Sequence, residues 1–254
     1  MAQIIDGKKI STQIKDEVKE QVAALKQKGI DVTLAVIQIG KDPASTVYVG
    51  NKKKACEYVG IRSLAYELPE ETSEQELLEL VQSLNAKEDV DGILVQLPLP
   101  KHIDEDKVIR TISPDKDVDG FHPESVGRLS IGQPGFVSCT PAGIIQLLKR
   151  SGITIDGKEC VIIGRSNIVG KPMGMLLLRE NGTVTICHSH TPDLKTVAKR
   201  ADILVVAIGK AKFVDASYVK DGAAVIDVGM DRDENGKLCG DVDFASVEPV
   251  AGAI

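Results

Sequence analysis

The sequence has no tryptophan, and aromatic residues make up only 3% of its 254 residues. It therefore offers few rings on which nucleic-acid bases could stack. A positive surplus is also missing, because 31 basic and 37 acidic side chains give a net charge of −6. General affinity for nucleic acid needs such a surplus. Both shortages predict that the protein does not bind nucleic acid.

Long hydrophobic runs are absent as well. No apolar stretch approaches the roughly 20 residues that cross a membrane, and the first residues, MAQIIDGKKIS, lack the apolar core of a secretory signal. The five cysteines are widely spaced and never form a C-x-x-C pair, which argues against a disulfide framework and a zinc knuckle. We therefore expect no membrane segment, unpaired thiols and a cytoplasmic location.

Strand and helix patterns alternate along the whole chain. Short apolar runs predict strands at residues 33–39, 63–68, 91–97, 159–163, 183–187, 203–207 and 224–228. Segments with helical spacing of apolar residues separate most of them, which is typical of βαβ units in a parallel sheet. The pattern predicts an N-terminal α/β domain at residues 1–139 and a C-terminal Rossmann-like, doubly wound domain at residues 140–254.

The segment 161–172, VIIGRSNIVGKP, combines a buried strand with a polar turn and the start of a helix. Gly164 permits a close approach of the backbone, while Arg165 and Ser166 offer a guanidinium and a hydroxyl to an anion such as an adenosine 2′-phosphate. The usual G-x-G-x-x-G pattern is absent, because only Gly164 and Gly170 are glycine. An ordinary turn with a surface arginine stays an alternative.

Polar residues of the first half also stand out from the packing pattern. Tyr48 and Lys52 are four residues apart in a helical stretch, so both project from one face. Gln96 lies in an apolar strand run, and Asp117 and Asp119 lie in a polar turn. Each has an ordinary explanation by itself: a solvated lysine run, a backbone cap or turn chemistry.

Taken together, these segments resemble one enzyme family. The matching blocks, in chain order, are STVYVGNKKKAC, DGILVQLPLP, DKDVDGFHP, VGRL, CTPAGI, GRSNIVGKP, HSHT, AIGKA and IDVG. From about residue 5 to its end the chain resembles the bifunctional methylenetetrahydrofolate dehydrogenase/methenyltetrahydrofolate cyclohydrolases. The resemblance implies a homodimeric cytoplasmic enzyme of one-carbon metabolism with one cleft between its domains. It would oxidise 5,10-methylenetetrahydrofolate with NADP and hydrolyse the methenyl product to 10-formyltetrahydrofolate.

The resemblance also implies roles at the folate site. Lys52 matches the family's central catalytic lysine, and Gln96 matches the glutamine that hydrogen-bonds its amine. Tyr48 matches the tyrosine that lies against the folate, and Asp119 matches the aspartate that anchors the pterin. Asp117 is expected to shape the turn.

For the cofactor, the resemblance implies NADP rather than NAD. Arg165 and Ser166, after Gly164, match the residues that hold the 2′-phosphate, and we expect Ser189 to add a third contact. Met230, which follows the block IDVG, lies where the family's backbone meets the cofactor. These residues form the predicted cofactor site.

No metal is expected. His188 and His190 have a spacing that could face one side of an extended segment, but no third ligand of matching spacing is evident. The sequence also stops at VAGAI, before the proline- and glycine-rich loop and closing helix with which the family normally continues. A shortened form of the enzyme is therefore one expectation.

Other functions remain open at this stage. The chain could be a dehydrogenase without hydrolase activity, which only kinetics would separate. It could be a non-catalytic regulator that binds NADP or folate, although the intact set of Tyr48, Lys52, Gln96 and Asp119 argues against that. Another NADP-dependent dehydrogenase, such as one acting on shikimate, explains the GRS segment but not YVGNKKK or DVDGF.

Overall fold

The computed structural model describes residues 2–254, apart from the side chains of residues 43 and 44. The chain forms two compact units, one of residues 8–137 and one of residues 138–254 together with the N-terminal segment. The predicted division at residue 139 lay close to the observed one. The assignment of the whole N-terminus to the first domain was wrong, because residues 2–7 belong to the second unit; Met1 lies outside the described residues.

The first unit contains a parallel three-stranded sheet in the order β2-β1-β3. Its elements are α1 (Gly7–Gln27), β1 (Thr33–Ile39), α2 (Pro43–Val59), β2 (Arg62–Leu68), α3 (Glu74–Asn85), β3 (Gly92–Val95), α4 (Glu105–Thr111) and α5 (Pro123–Ser130). The apolar side chains of β1 and β3 are buried with those of α3, among them Ile37, Ile93 and Leu77. Because β2 and β3 lie on opposite sides of β1, a crevice is expected at the carboxyl ends of β1 and β3.

Local sequence signals fix the helices that flank this crevice. The Asp42 carboxylate accepts the Ser45 N–H at the start of α2, and Gly60 ends that helix in the left-handed conformation, with φ +88°. Ser73 and Glu76 form a capping box at the start of α3, as the SEQE segment predicted. The helix that carries Tyr48 and Lys52 therefore has defined ends.

The second unit contains a parallel four-stranded sheet in the order β5-β4-β6-β7. Its elements are α6 (Cys139–Arg150), β4 (Glu159–Ile163), α7 (Gly170–Arg179), β5 (Thr183–Cys187), α8 (Leu194–Ala198), β6 (Ile203–Val206), a 3₁₀ turn (Ala216–Tyr218), β7 (Ala224–Asp227), an antiparallel pair β8 (Asp231–Arg232) and β9 (Leu238–Cys239), and α9 (Phe244–Val247). The strand order reverses between β4 and β6, so a ligand crevice is expected at their carboxyl ends. This is the doubly wound order that the sequence predicted.

The N-terminal segment extends this second sheet. The Gln3 N–H donates to the Gly252 carbonyl at 2.9 Å, and the Ile5 N–H donates to the Ile254 carbonyl at 2.8 Å. Ala253 in turn forms a bridge with Ala224 of β7. These backbone hydrogen bonds are the physical reason that residues 2–7 belong to the second unit.

The predicted strands agree closely with the observed ones. β1, β4 and β5 have the predicted bounds, whereas β3 is shorter than residues 91–97 and ends at Val95. Helices α4 and α5 and the β8–β9 pair were not predicted. No helix in the described part of the chain is long and apolar enough to span a membrane.

Candidate functional site

Lys52 and Gln96 meet at the carboxyl end of the first sheet. Lys52 lies on α2, and its Nζ donates a hydrogen bond of 2.8 Å to Oε1 of Gln96. Gln96 follows β3 directly, and its backbone N–H still donates to the Ile37 carbonyl of β1 at 2.8 Å. Its Nε2 donates to the Leu97 carbonyl at 2.8 Å, so the amide oxygen is left to face the lysine. The position of the amine is thereby fixed by the sheet.

Asp119 is a half-buried carboxyl group in the same unit. Burial raises its pKa to about 6, the positive charge of Lys52 opposes the rise, and the Asp117 carboxylate adds to it. Apolar side chains from β3 and α4 line a small cavity of about 10 Å³ against Asp117 and Asp119, which explains the loss of solvation. Asp119 is therefore mainly a carboxylate at neutral pH, but it takes up a proton more readily than an exposed aspartate.

The loop that carries Asp119 is anchored to the end of α3 by Lys116. The Lys116 Nζ donates to the backbone carbonyls of Leu84, Asn85 and Lys87 at 3.2, 2.9 and 2.6 Å. This position favours a cation, because the carboxyl end of a helix has carbonyls without partners and carries a partial negative charge. The Lys116 carbonyl also accepts the Ile93 N–H of β3 at 2.8 Å, so the loop is attached to the sheet as well.

Asp117 holds the turn that follows. Its side chain is only 2% exposed, and Oδ2 accepts the His122 N–H and the Ser125 hydroxyl, both at 2.8 Å. Tyr48 is one turn ahead of Lys52 on α2, with 41% of its surface exposed. The first unit therefore brings Lys52, Gln96 and Asp119 together and places Tyr48 on the same helix as the lysine.

In the second unit, two glycines permit a tight turn between β4 and α7. Gly164 follows β4 with φ +130°, and a Cβ on it would overlap the Ala207 carbonyl oxygen. Gly170 begins α7, and a Cβ there would overlap the carbonyl of Gly164. The usual pattern uses three glycines to make the turn tight and to bring the backbone close to a dinucleotide. In this turn Gly164 and Gly170 alone permit the close packing.

The polar residues of this turn suit an anion. Arg165 and Ser166 are exposed. The Ser166 Oγ accepts the N–H groups of Val169 and Gly170 at 3.1 and 3.3 Å, so it satisfies two backbone donors at the start of α7 and keeps its own hydrogen to donate. A guanidinium, a hydroxyl donor and a helix amino end lie next to each other, which fits a phosphate group such as an adenosine 2′-phosphate.

The turn after β5 lies along the same edge of the sheet. The His188 N–H donates to Thr191 Oγ1 at 2.8 Å, and His188 Nδ1 accepts the His190 N–H at 3.1 Å. These contacts leave Ser189 exposed in the turn. Across residues 2–254 as described, no group of three or more His, Cys, Asp or Glu side chains is arranged to hold a metal ion.

The sequence did not point to two carboxylates that organise the rest of this edge. Asp241 has no exposed surface, and its oxygens accept the N–H groups of Ile208, Gly209 and Lys210 at 2.7, 3.3 and 2.6 Å. These three residues form the turn after β6, which we call the 208–210 turn. The partners of Asp241 are backbone groups, which leave no pattern of side chains in the sequence. The repeated acidic residues in GDVDF were the one signal that could have identified it.

Asp227, at the end of β7, continues the arrangement. It accepts the N–H groups of Gly229, Asp241 and Val242 at 2.9, 2.9 and 3.0 Å. The predicted cofactor residue Met230 follows Gly229, and 60% of its surface is exposed. The backbone around Met230 is therefore attached to the segment that carries Asp241.

Comparison with known proteins gives a consistent assignment for both units. Residues 5–119 match the family described as tetrahydrofolate dehydrogenase/cyclohydrolase, catalytic domain. Residues 138–254 match the tetrahydrofolate dehydrogenase/cyclohydrolase, NAD(P)-binding domain. The two matches together span most of the chain.

Individual relatives agree with these matches. The chain is 73% identical over 254 residues to the bifunctional protein FolD of Lachnoclostridium phytofermentans, covering 100% of this chain and 90% of the relative. It is similar to the crystal structure of the bifunctional methylenetetrahydrofolate dehydrogenase/cyclohydrolase from Campylobacter jejuni, with TM-score 0.97, 48% identity and coverage of 100% and 90%. It is also similar to the Trypanosoma brucei methylenetetrahydrofolate dehydrogenase-cyclohydrolase complexed with NADP cofactor and inhibitor, with TM-score 0.93, 39% identity and coverage of 100% and 89%.

Proposed function

Because the chain belongs to the tetrahydrofolate dehydrogenase/cyclohydrolase family, we propose that Lys52 is the central catalytic group of its active site and transfers protons in the hydrolysis. The protein oxidises 5,10-methylenetetrahydrofolate to 5,10-methenyltetrahydrofolate with NADP, and it hydrolyses that product to 10-formyltetrahydrofolate. The observation that carries the role of Lys52 is its 2.8 Å hydrogen bond to Gln96, beside the half-buried Asp119.

The folate is held by Asp119 and Tyr48. A carboxylate at Asp119 accepts two hydrogen bonds from the amide and amino donors of the pterin, a charge-assisted contact that fixes the orientation of the ring. The loop anchored by Lys116 supports this contact, because its bonds to the end of α3 limit the movement of Asp119. The Tyr48 ring packs against a face of the folate, which adds apolar contact without adding charge.

The oxidation depends mainly on alignment. NADP, when bound, accepts the hydride that leaves the methylene carbon. Arg165, Ser166 and Ser189 hold its 2′-phosphate, and Gly164 and the backbone at Met230 permit close approach of the dinucleotide. In the first unit, Asp119 and Tyr48 keep the folate oriented while positive charge develops on its one-carbon bridge.

The hydrolysis needs proton transfer as well as alignment. Lys52, as a neutral amine, takes a proton from the water whose oxygen forms the new bond to the methenyl carbon. The resulting ammonium then returns a proton to the folate nitrogen whose bond to that carbon breaks. The hydroxyl oxygen on that carbon releases its remaining proton to solvent, which leaves a formyl group on the other nitrogen. Gln96 holds the amine in position through both transfers, because its oxygen accepts a hydrogen bond from the lysine.

An absorbance assay with 5,10-methylenetetrahydrofolate and NADP tests this assignment, with Lys52→Met beside Lys54→Met, an exposed lysine on the same helix. We expect the unsubstituted chain and Lys54→Met to form NADPH without accumulating the methenyl compound. Lys52→Met should lose hydrolysis by about a hundredfold or more, because general acid–base groups contribute about that much. The NADPH it forms would then be accompanied by methenyltetrahydrofolate.

Three outcomes would contradict the proposal. Hydrolysis by Lys52→Met at the rate of Lys54→Met would remove the lysine from the mechanism. Oxidation by the unsubstituted chain with full accumulation of the methenyl compound would identify a dehydrogenase alone, and binding of both ligands without turnover would identify a regulator.

We propose further that the enzyme is a cytoplasmic homodimer. The resemblance to the family supports the dimer, and the lack of disulfides among the cysteines, all of which lie in the described part of the chain, supports a reducing compartment. Light scattering during size-exclusion chromatography should give twice the chain mass of 27.2 kDa, and a mass of one chain would contradict the dimer. Fractionation of cells that produce the protein tests the compartment.

A further inference from the structure

We infer that Asp241 is a positioning residue for dinucleotide binding, which acts by fixing the backbone of the 208–210 turn. This inference rests on the proposed NADP-dependent function. The Asp241 carboxylate accepts three successive backbone N–H groups, from Ile208, Gly209 and Lys210. Such an arrangement holds all three peptide groups in one conformation, because each bond to a charged acceptor is stronger than a neutral one.

The place of this turn in the sheet connects it with the cofactor. It follows β6, the strand beside β4 at the point where the strand order reverses, and dinucleotides bind outside the carboxyl ends of strands at this point. The preceding residue, Ala207, touches the phosphate-binding turn, since its carbonyl leaves no room for a Cβ on Gly164. A shift of the 208–210 turn would therefore change the shape of the cofactor crevice.

Asp241 is itself fixed from β7. Asp227 accepts the N–H groups of Asp241 and Val242 and that of Gly229. A Cβ on Gly229 would overlap Asp241, and a Cβ on Gly240 would overlap the Asp227 carboxylate. The two aspartates thus join the ends of β6 and β7 and also position the backbone that leads to Met230, a predicted cofactor contact.

The concentration of acidic groups is compatible with this role. Asp231 lies next to Asp241, and its Oδ2 is buried and, in the described structure, has no hydrogen-bond partner. Burial raises the pKa of Asp231, and the Asp241 carboxylate raises it further. The raised pKa favours a proton on Asp231, and such a proton reduces the repulsion between the two side chains.

The test measures NADPH binding by fluorescence titration in Asp241→Asn and in a matched variant, Asp202→Asn. Asp202 also accepts a backbone hydrogen bond, from the Glu159 N–H at 3.0 Å, but it precedes β6 and lies at the opposite end of that strand. Asp241→Asn should weaken NADPH binding by about tenfold or more. The asparagine has a single neutral oxygen as acceptor, and its NH2 group would face a backbone N–H of the 208–210 turn. Asp202→Asn should bind NADPH within about twofold of the unsubstituted protein.

A second pair of variants disturbs the turn while the carboxylate stays. Gly209 has φ +64°, and Gly222, before β7, has φ +81°. A Cβ at either position would have no atom within 4 Å other than those of its chain neighbours. Alanine at either position therefore adds backbone strain without a clash. Gly209→Ala should weaken NADPH binding by several-fold, about threefold or more, while Gly222→Ala should not.

Hydrolysis of methenyltetrahydrofolate supplied directly provides the second readout, because this reaction consumes no dinucleotide. Asp241→Asn should retain it, whereas general loss of the fold would abolish it. Equal NADPH affinity in Asp241→Asn and Asp202→Asn, or in Gly209→Ala and Gly222→Ala, would overturn the inference. An unsubstituted chain that binds NADPH but hydrolyses nothing would instead contradict the proposed cyclohydrolase function, and the binding comparison would still decide the role of Asp241.

Discussion

The Nζ of Lys52 and the Oε1 of Gln96 are 2.8 Å apart, and the glutamine amide is held in turn by the carbonyl of Leu97. One side chain at the end of β3 thus sets the position of the proposed catalytic amine. The consequence is that Gln96 should affect hydrolysis without touching the one-carbon unit.

Replacing Gln96 with methionine keeps the length of the side chain and removes the acceptor. We expect the kcat for hydrolysis to fall by about ten- to hundredfold, since a misplaced proton-transfer group loses most of its contribution. The measurement is the rate at which added methenyltetrahydrofolate disappears. Gln38→Met is the matched control, because Gln38 is a buried glutamine on β1 whose amide donates to Gly40 and Thr46. Equal rates in the two variants would exclude the positioning role of Gln96.

The raised pKa of Asp119 makes stability depend on pH. Since the folded pKa, about 6, exceeds the ordinary value of 3.8, the folded protein binds this proton more tightly than the unfolded chain does. The stabilisation is full below about pH 4 and is lost as the pH rises through about 6. Asp119→Asn removes this effect, so its melting temperature relative to the unsubstituted protein should be higher at about pH 7.5 than at about pH 4.5.

Thermal unfolding of both proteins at the two pH values checks this. Asp31→Asn, which removes an exposed carboxylate of the same unit, controls for the change in net charge. A relative melting temperature of Asp119→Asn that is independent of pH would contradict the pKa shift. The same variant should also bind folate more weakly, because a neutral amide cannot accept both pterin hydrogen bonds.

Lys116 is predicted to stabilise the first unit and the folate site together. Lys116→Met leaves the carbonyls of Leu84, Asn85 and Lys87 without their charged donor, and we expect a loss of about 1–3 kcal/mol in the free energy of unfolding. The KM for methylenetetrahydrofolate should rise, because the loop that carries Asp119 is released from α3. Urea denaturation and steady-state kinetics measure the two effects. Lys101→Met, an exposed lysine of the same unit, should change neither, and a normal KM in Lys116→Met would show that the loop is held by its other bonds.

The cysteines are predicted to differ widely in reactivity. Burial raises the pKa of Cys160 to about 11 and also raises the pKa values of Cys56 and Cys187, so little of the reactive thiolate forms at these positions. Cys139 is exposed at the start of α6. A thiol reagent followed by peptide mass spectrometry should label Cys139 before the three buried cysteines. Labelling of Cys160 at the rate of Cys139 in the native protein would contradict the burial.

Sequence patterns predicted the central strands of the parallel sheets well because those strands are buried. β1 and β4 are mostly apolar, and the structure has both at the predicted residues. The more exposed edge strand β5, in which threonine alternates with apolar residues, also has the predicted bounds. Helices α4 and α5 escaped prediction because each is short and places few apolar residues in the core, Val108 in one and Leu129 in the other. The Asn235-Gly236 pair in the β8–β9 turn was a signal that could have identified the hairpin.

The pairing of Lys52 with Gln96 in the candidate site was predictable from the resemblance to the enzyme family. The structure has the two side chains hydrogen-bonded. The roles of Asp227 and Asp241 were not predictable, because their partners are backbone N–H groups, which every residue except proline possesses. A buried aspartate and a solvated one therefore look the same in a sequence until the fold brings distant backbone segments together.

The pairing of Gln3 and Ile5 with residues 252–254 has a consequence for biosynthesis. The two partners lie far apart in the chain, so residues 3–5 leave the ribosome long before the residues with which they pair. All strands of the first unit, by contrast, emerge within residues 33–95 and find their neighbours early. Contacts between distant segments form slowly. During synthesis the first unit can therefore complete its sheet before residues 252–254, which extend the sheet of the second unit, have been made.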